Sequence, residues 1–494
     1  MVVKIAMLVI FFVVMICVGL YCRKKIKDVG DFVLGGRTVG PWLTAFAYGT
    51  SYFSAVVFIG YAGQFGWNFG FSAVWIGIGN AFLGSYLAWK ILGGRTRVMT
   101  HHLDSTTMPE FFEKIYDSKA LKLVSSLIIF VFLVPYSASV YKGLSVLFEN
   151  AFGISFYYCI IGMAILTAAY IILGGYMATA INDFIQGIVM IVGITLVIAF
   201  VMKEAGGFSH AFATMKAIEP KLVAPFGPSP INLVGVIILT SLGTWGMPQM
   251  VHKFYAIKDK KSIKIGTTIA TLFAIVIAGG SYFMGSFGRA FNNIPMDNGK
   301  PIYDMIVPTM LQKLPDLMVG VVIVLVLSAS MSTLSSLVLA SSSTLILDFV
   351  KGTIVKDLSK NSQMFLIRLF CGLFVAASVL VAIIPGNLIS TLMSISWGAI
   401  AGSFLAPFMY GLFWKGVTRT GVWAGFATGV MVTTLNSIFL NTGVYSKVLQ
   451  GILTPPNVGA LAMLLSLIIV PLVSLATPKL SKAHVDKAFE CFEG

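Results

Sequence analysis

Long apolar runs constrain this chain more than any other feature. Stretches of about 18 or more residues with almost no charge recur along the whole of its 494 positions, and each is long enough to cross the hydrocarbon core of a bilayer as a helix. Only 11% of the residues are charged and 57% are hydrophobic, with a mean hydropathy of +0.91. A soluble protein of this size needs far more charge to cover its surface. The reading is an all-α polytopic membrane protein with about 13 transmembrane helices.

The net charge of +15 would suit a nucleic-acid partner if it were clustered on one soluble face. Its distribution says otherwise. With the N-terminus outside, the loops following the odd-numbered spans and the C-terminal tail are cytoplasmic, and they hold 25 of the 34 Lys and Arg. That bias follows the positive-inside rule, so the charge sets topology and implies no nucleic-acid partner. The expected localisation is the plasma or inner membrane, with the N-terminus outside and the C-terminus cytoplasmic. The first apolar run is followed, not preceded, by Arg23, Lys24 and Lys25, so it reads as a retained helix and not a signal peptide. The five cysteines show no CxxC spacing, which supports neither a disulfide framework nor a metal site.

Two spans are interrupted at matching places in the order. One, expected at 41–64, carries Gly49-Thr50-Ser51 in its middle; the other, expected at 231–251, carries Gly243, Gly246 and Pro248. Five spans start with each, and an odd offset inverts the second set relative to the first. This is the pattern of an inverted-repeat transporter, whose unwound helices meet at a midplane site. Gly and Pro are also simply common in membrane helices, so it is the pairing that carries the argument. The division expected is an extra helix and loop at 1–40, a first five-helix repeat at 41–203, an external loop at 204–230, a second repeat at 231–412, and two helices with a tail at 413–494.

One stretch, "SASMSTLSS" at 328–336, places six hydroxyls among nine residues inside an oily run. On a helix, Ser335, Ser332 and Ser336 fall at about −60°, 0° and +40°, with Ala329 near +60° and Thr333 near +100°. They form one face. Serines back-bonded to their own helix would give a packing surface of the same composition. A hard cation such as sodium, however, takes several neutral oxygens and at most one carboxylate. Asp183 supplies a carboxylate about a turn inside the sixth span, where an unpaired charge costs several kcal/mol. The only lysine this reading places deep is Lys142, in the outer half, and a bound cation would fill the gap.

Several motifs, in order, resemble the sodium/solute symporter family, which includes sodium-coupled proline, pantothenate, sialic acid and glucose transporters. They are "FVLGGRTVGPWLTAFAYGTSYFSA" at 32–55, "GGYMATAINDFIQG" at 174–187, "WGMPQMVHKFYAIKD" at 245–259, "SASMSTLSS" at 328–336 and "WGAIAGSFLAPFMYGLFWKGVTRTGVWAG" at 397–425. The resemblance implies a five-plus-five inverted repeat with two broken helices, a LeuT-like core. It implies a shared sodium site from the carbonyls of Thr50, Phe53 and Ala329 with the hydroxyls of Ser332 and Thr333. It also implies a second sodium at Asp183, Ser332, Ser335 and Ser336, hence two sodium ions per cycle. One sodium moving down 100 mV and a tenfold gradient releases roughly 3.7 kcal/mol; two release roughly 7.4 kcal/mol, enough to concentrate a neutral solute on the order of 10⁵-fold.

The solute is expected between the broken helices, against Tyr52, Val56 and Val57 on one side and Thr240, Thr244 and Trp245 on the other. Trp245 reads equally well as a packing aromatic. Relatives that carry sugars place an amide near Val57, and those that carry proline place an acid where Tyr52 stands, so neither pocket transfers directly. Lys142 stands open between meeting a substrate carboxylate and snorkelling to the headgroups; Tyr136 and Ser137 are neighbouring candidates. A small amino acid or carboxylate is the expected solute, with the lipid bilayer as surroundings and no obligate protein partner evident. No HExxH, Walker loop or nucleophile elbow occurs, so an enzyme or an ATP-driven pump is unsupported. A proton-coupled symporter and a non-transporting solute receptor remain the alternatives.

Overall fold

The computed structural model describes residues 2–23, 29–291, 294–297, 299–312, 314–351, 353–355, 358–384, 386 and 388–493; Lys24 and Lys25 of the basic cluster lie outside them. The chain is a helical bundle. Among the described residues ten helices are long and apolar enough to cross a membrane, or eleven if the bent pair Pro230–Gly246 and Pro248–Ala256 is one span. The expected count of about thirteen is larger because it divides the 47-residue stretch Val56–His102 between two spans and includes the bent pair and the short helix at 156–168. Pro41–Tyr52 has only 12 residues before its break, and Phe156–Ala168 is a shorter apolar helix.

The places where helices stop are set by particular residues. Gly175 divides the long helical stretch Phe156–Glu204 with φ 59° and ψ −168°, a combination that only glycine adopts without strain. Pro248 opens the second half of the second broken helix; Met247 before it takes φ −80° and ψ 121°, as the residue before a proline must. The two halves bend by 44°. In the first broken helix the regular turn ends at Tyr52, Phe53 is extended at φ −111° and ψ 105°, and the chain resumes through a wide helical turn at Val56–Tyr61.

The two broken helices pack against each other in opposite senses. Where the first begins, Val39 N–H donates to the Ala256 carbonyl at the end of the second (3.2 Å). At their breaks, the Tyr52 hydroxyl donates to the Thr240 carbonyl (2.5 Å). Between those two points one chain ascends while the other descends, the geometry that an inverted repeat produces.

The serine-rich helix Asp316–Thr344 packs against the first broken helix, the stretch Phe156–Glu204, Lys119–Phe152 and the N-terminal helix Val2–Arg23. Its apolar window is 83% buried, against 22% for the N-terminal helix. Hydroxyls on that helix are therefore interior groups that need partners. The expected external loop at 204–230 is partly helical, with a helix at Phe208–Ile218 and a tight turn at Pro220–Val223.

All the described basic loops gather at one end of the bundle. Arg37 donates to the carbonyls of Thr100 and Ser105 (3.2 and 2.8 Å), and Arg95 to that of Leu412 (2.7 Å). Arg419 pairs with Asp117 (2.6 Å), and Lys415 reaches Asp486 and Glu493 of the tail (3.1 and 2.7 Å). A cavity of about 850 Å³ opens at this end, lined among others by Asp104, Glu110, Lys122, Asp348 and Lys360.

Candidate functional site

The site is built where the first broken helix meets the serine-rich helix. Because the first helix stops at Tyr52, the carbonyls of its last turn have no following N–H within the helix. The Thr333 hydroxyl lies against three carbonyl oxygens: Thr50 at 3.2 Å, Ser51 at 3.3 Å and Ala329 at 3.0 Å. One hydroxyl has a single proton to give, so acceptors outnumber donors. Ser332 donates to the Thr50 hydroxyl (2.7 Å), and that hydroxyl donates back to the Phe46 carbonyl (2.8 Å). Ala55 N–H, just past the break, donates to Ser330 (3.3 Å).

Four of the five residues expected at the shared ion position, Thr50, Ala329, Ser332 and Thr333, are thus in mutual contact and fully buried. Phe53 stands at the break beside them, its ring stacked on Tyr52 with centroids 4.2 Å apart. Such a convergence of neutral oxygens fits a hard monovalent cation.

The second expected set behaves differently. Lys142 was expected to be the only deep lysine, and the second broken span was expected to end near 251 with Lys253 and His252 in a loop. Instead both stand on the helix Pro248–Ala256, and Lys253 is 2% exposed. Its Nζ lies 3.8 Å from Asp183 Oδ2 and donates to Ser336 Oγ (3.1 Å). Ser336 also bonds Ser51 (2.8 Å). Ser335 donates to the Ser332 carbonyl of its own helix (2.9 Å). Burial of a lysine beside a carboxylate is what desolvation demands of both, and a hydropathy reading of "MVHKFYA" cannot see it.

The expected solute-facing residues divide into two groups. Thr240 donates to Asn80 Oδ1 (2.8 Å), Thr244 to the Gly84 carbonyl (3.0 Å) and Trp245 Nε1 to the Leu83 carbonyl (3.0 Å), so these three bind the second broken helix to its neighbour. Val56 and Val57 are buried in the turn after the first break. Tyr52 and Tyr136 meet at a residue not singled out from sequence, Trp397, and Ser137 follows Tyr136 on its helix. Tyr52 stacks on Trp397 at 6.0 Å, and Tyr136 meets it edge-on at 5.8 Å. The Tyr136 hydroxyl faces Trp397 and Ser54, while the Ser137 hydroxyl is buried with no hydrogen-bond partner among the described residues. An orphaned polar atom of this kind is expensive unless a ligand or water completes it. Trp397 opens a quoted motif, "WGAIAGSF", and that was the signal available.

Lys142 is half-buried on Lys119–Phe152, where buried Asp304 attracts it electrostatically. Asp304 Oδ2 also accepts from Ile389 N–H (3.4 Å).

The family model described as the sodium:solute symporter family matches residues 32–429. The chain belongs to the sodium:solute symporter family. Sodium/proline symporters of Staphylococcus aureus strains JH9 and JH1 are each 30% identical to the symporter over 438 residues, covering 86% of it and 84% of their own length. A Na+-coupled sialic acid symporter, solved in a substrate-bound outward-open state, matches its fold with a TM-score of 0.78 at 18% identity, over 97% of this chain and 99% of that one. Mhp1, a nucleobase-cation-symport-1 family transporter in a closed conformation, matches with a TM-score of 0.51 at 13% identity, over 92% and 97%. Both likenesses are of fold, and with them the symporter has the LeuT-like core. It is a multi-pass membrane transporter and not an enzyme, with sodium as its coupling ion.

Proposed function

We propose that the symporter imports a small amino acid or related carboxylate together with sodium by alternating access. The sodium ion sits among the carbonyls of Thr50, Phe53 and Ala329 and the hydroxyls of Ser332 and Thr333. The observation that carries this is the single Thr333 hydroxyl facing three carbonyl oxygens beside a helix break. The solute lies next to it, its polar atoms completing Ser137 beside Tyr136 and Trp397 and its apolar part against Tyr52 and Val56. Several sodium/proline symporters among the relatives support an amino acid. Lys142, half-buried and drawn to Asp304, is the candidate for meeting a solute carboxylate.

The end that collects the basic loops is cytoplasmic by the positive-inside rule, which puts the N-terminus outside. The cavity at that end is then the inner vestibule, and the helices run as two repeats at 41–203 and 231–412. A two-sodium stoichiometry requires Asp183, Ser332, Ser335 and Ser336 to take a free ion as well.

The test is thermal stability of the purified protein in liposomes, in sodium against potassium, with a panel of amino acids and carboxylates. Sodium alone raises the melting temperature, and a solute adds to it only when sodium is present. Equal curves in the two salts would return the hydroxyl face to helix packing.

A further inference from the structure

Three separate segments converge on one ammonium group. Lys253 comes from Pro248–Ala256, Asp183 from Gly175–Glu204 and Ser336 from Asp316–Thr344. The Lys253 Nζ is 3.8 Å from the carboxylate and 3.1 Å from the hydroxyl, and it lies 5.4 Å from the centre of the Tyr176 ring. The side chains of Lys253 and Asp183 are 3% and 0% accessible. A carboxylate, a hydroxyl and an aromatic face are the surroundings of a bound cation.

We infer that the Lys253 ammonium is a tethered cation that holds the second cation position, so that the transporter binds one free sodium ion and not two. This rests on the proposed sodium position at Thr50, Ser332 and Thr333.

Charge comes first. Asp183 and Lys253 together are neutral, and a sodium ion added to them would leave two cations against one carboxylate in a poorly screened interior. Coordination comes second. Ser336 accepts from Lys253 and also bonds Ser51, so its oxygen is engaged by the ammonium where a second ion would need it. What is left for a second ion is the Asp183 carboxylate, which already faces Lys253 and Ser332, and a lone carboxylate is a poor sodium site. The tether comes third. A cation fixed to the helix is always present at high effective concentration, and a sodium ion displacing it would have to leave a lysine buried elsewhere. Stability supplies no competing reason for the pair, since a buried ion pair is often no better than apolar residues of the same volume.

The test counts ions with sodium alone. Purified protein is equilibrated with ²²Na+ and bound sodium per molecule is measured at saturation, for the wild type, Lys253→Met, and Lys253→Met combined with Asp183→Asn. The expected counts are one, two and one. Two ions in the wild type would overturn the inference whether or not the variants fold, and so would a folded Lys253→Met protein that still binds one. A merely structural ion pair predicts that last result. No sodium bound to the wild type would instead overturn the proposed sodium position, and this inference with it.

Discussion

The Ser332 hydroxyl donates to the Thr50 hydroxyl across 2.7 Å, joining helices 282 residues apart in sequence. The contact closes one side of the oxygen cluster, and Thr333 closes the other. Thr333→Ala removes a hydroxyl without changing the carbonyls around it. The sodium concentration for half-maximal stabilisation rises about tenfold or more, which is about 1.4 kcal/mol of lost binding. The melting temperature in potassium changes little by comparison. A sodium titration followed by thermal unfolding checks both.

Tyr52 joins the two breaks through its bond to the Thr240 carbonyl. In Tyr52→Phe the ring still stacks on Phe53 and Trp397, and the Thr240 carbonyl keeps its helical N–H but loses the hydroxyl, at a cost of about 0.5–1.5 kcal/mol. Thermal stability falls in sodium and potassium alike, which separates this variant from Thr333→Ala.

Gly175 is required by its backbone. An added Cβ would lie 2.8 Å from Phe32 Cδ2, at φ +59°. Gly175→Ala costs roughly 1–3 kcal/mol. Gly162→Ala, where nothing lies within 4 Å of the added Cβ, is close to neutral. Comparing the two melting temperatures in one buffer isolates the strain.

Glu110 caps the helix Met108–Tyr116 at the basic end. Its carboxylate accepts from Thr106 N–H and Oγ1 (2.8 and 2.7 Å), and Thr107 Oγ1 accepts from Glu110 N–H (3.1 Å), a reciprocal cap. Burial works to raise the carboxyl pKa, but the Thr106 bonds and Lys114 outweigh it and hold the group below its ordinary value. A depressed carboxylate stabilises the fold above its unfolded pKa of about 4.3, and the contribution is lost as pH falls through the folded value. Proteolysis of the 103–118 segment should therefore rise below about pH 4. Glu110→Gln raises it at neutral pH by about 1 kcal/mol of lost capping and flattens the acid dependence.

How much of this was legible beforehand differs from residue to residue. The hydroxyl face of the serine-rich helix follows from helical angle, and the two breaks from Gly49 and from the Gly and Pro at 243–248. The meeting of Ser332 and Thr333 with Thr50 came only from the family resemblance; the structure has them in contact. The partner of Asp183 was not legible. Lys253 is followed by a run of charge at 258–261 that reads as loop, and only the tertiary pairing makes its burial affordable. Trp397 was hidden for another reason. A tryptophan in an apolar helix looks the same whether it packs or lines a pocket, and its neighbours Tyr52 and Tyr136 come to it only through the tertiary fold.

The central claim is that sodium drives the solute through the cluster at Thr50 and Thr333. Its most direct test is uptake of labelled L-proline and other amino acids into liposomes carrying the purified protein, under an imposed inward sodium gradient, a potassium gradient or a proton gradient. The account predicts accumulation of at least one solute with sodium only. With one coupled ion at 100 mV and a tenfold gradient, a neutral solute reaches a limit of about 500-fold. Thr333→Ala shifts the sodium dependence of that uptake upward. Equal accumulation with potassium, or accumulation driven by protons without sodium, would contradict it.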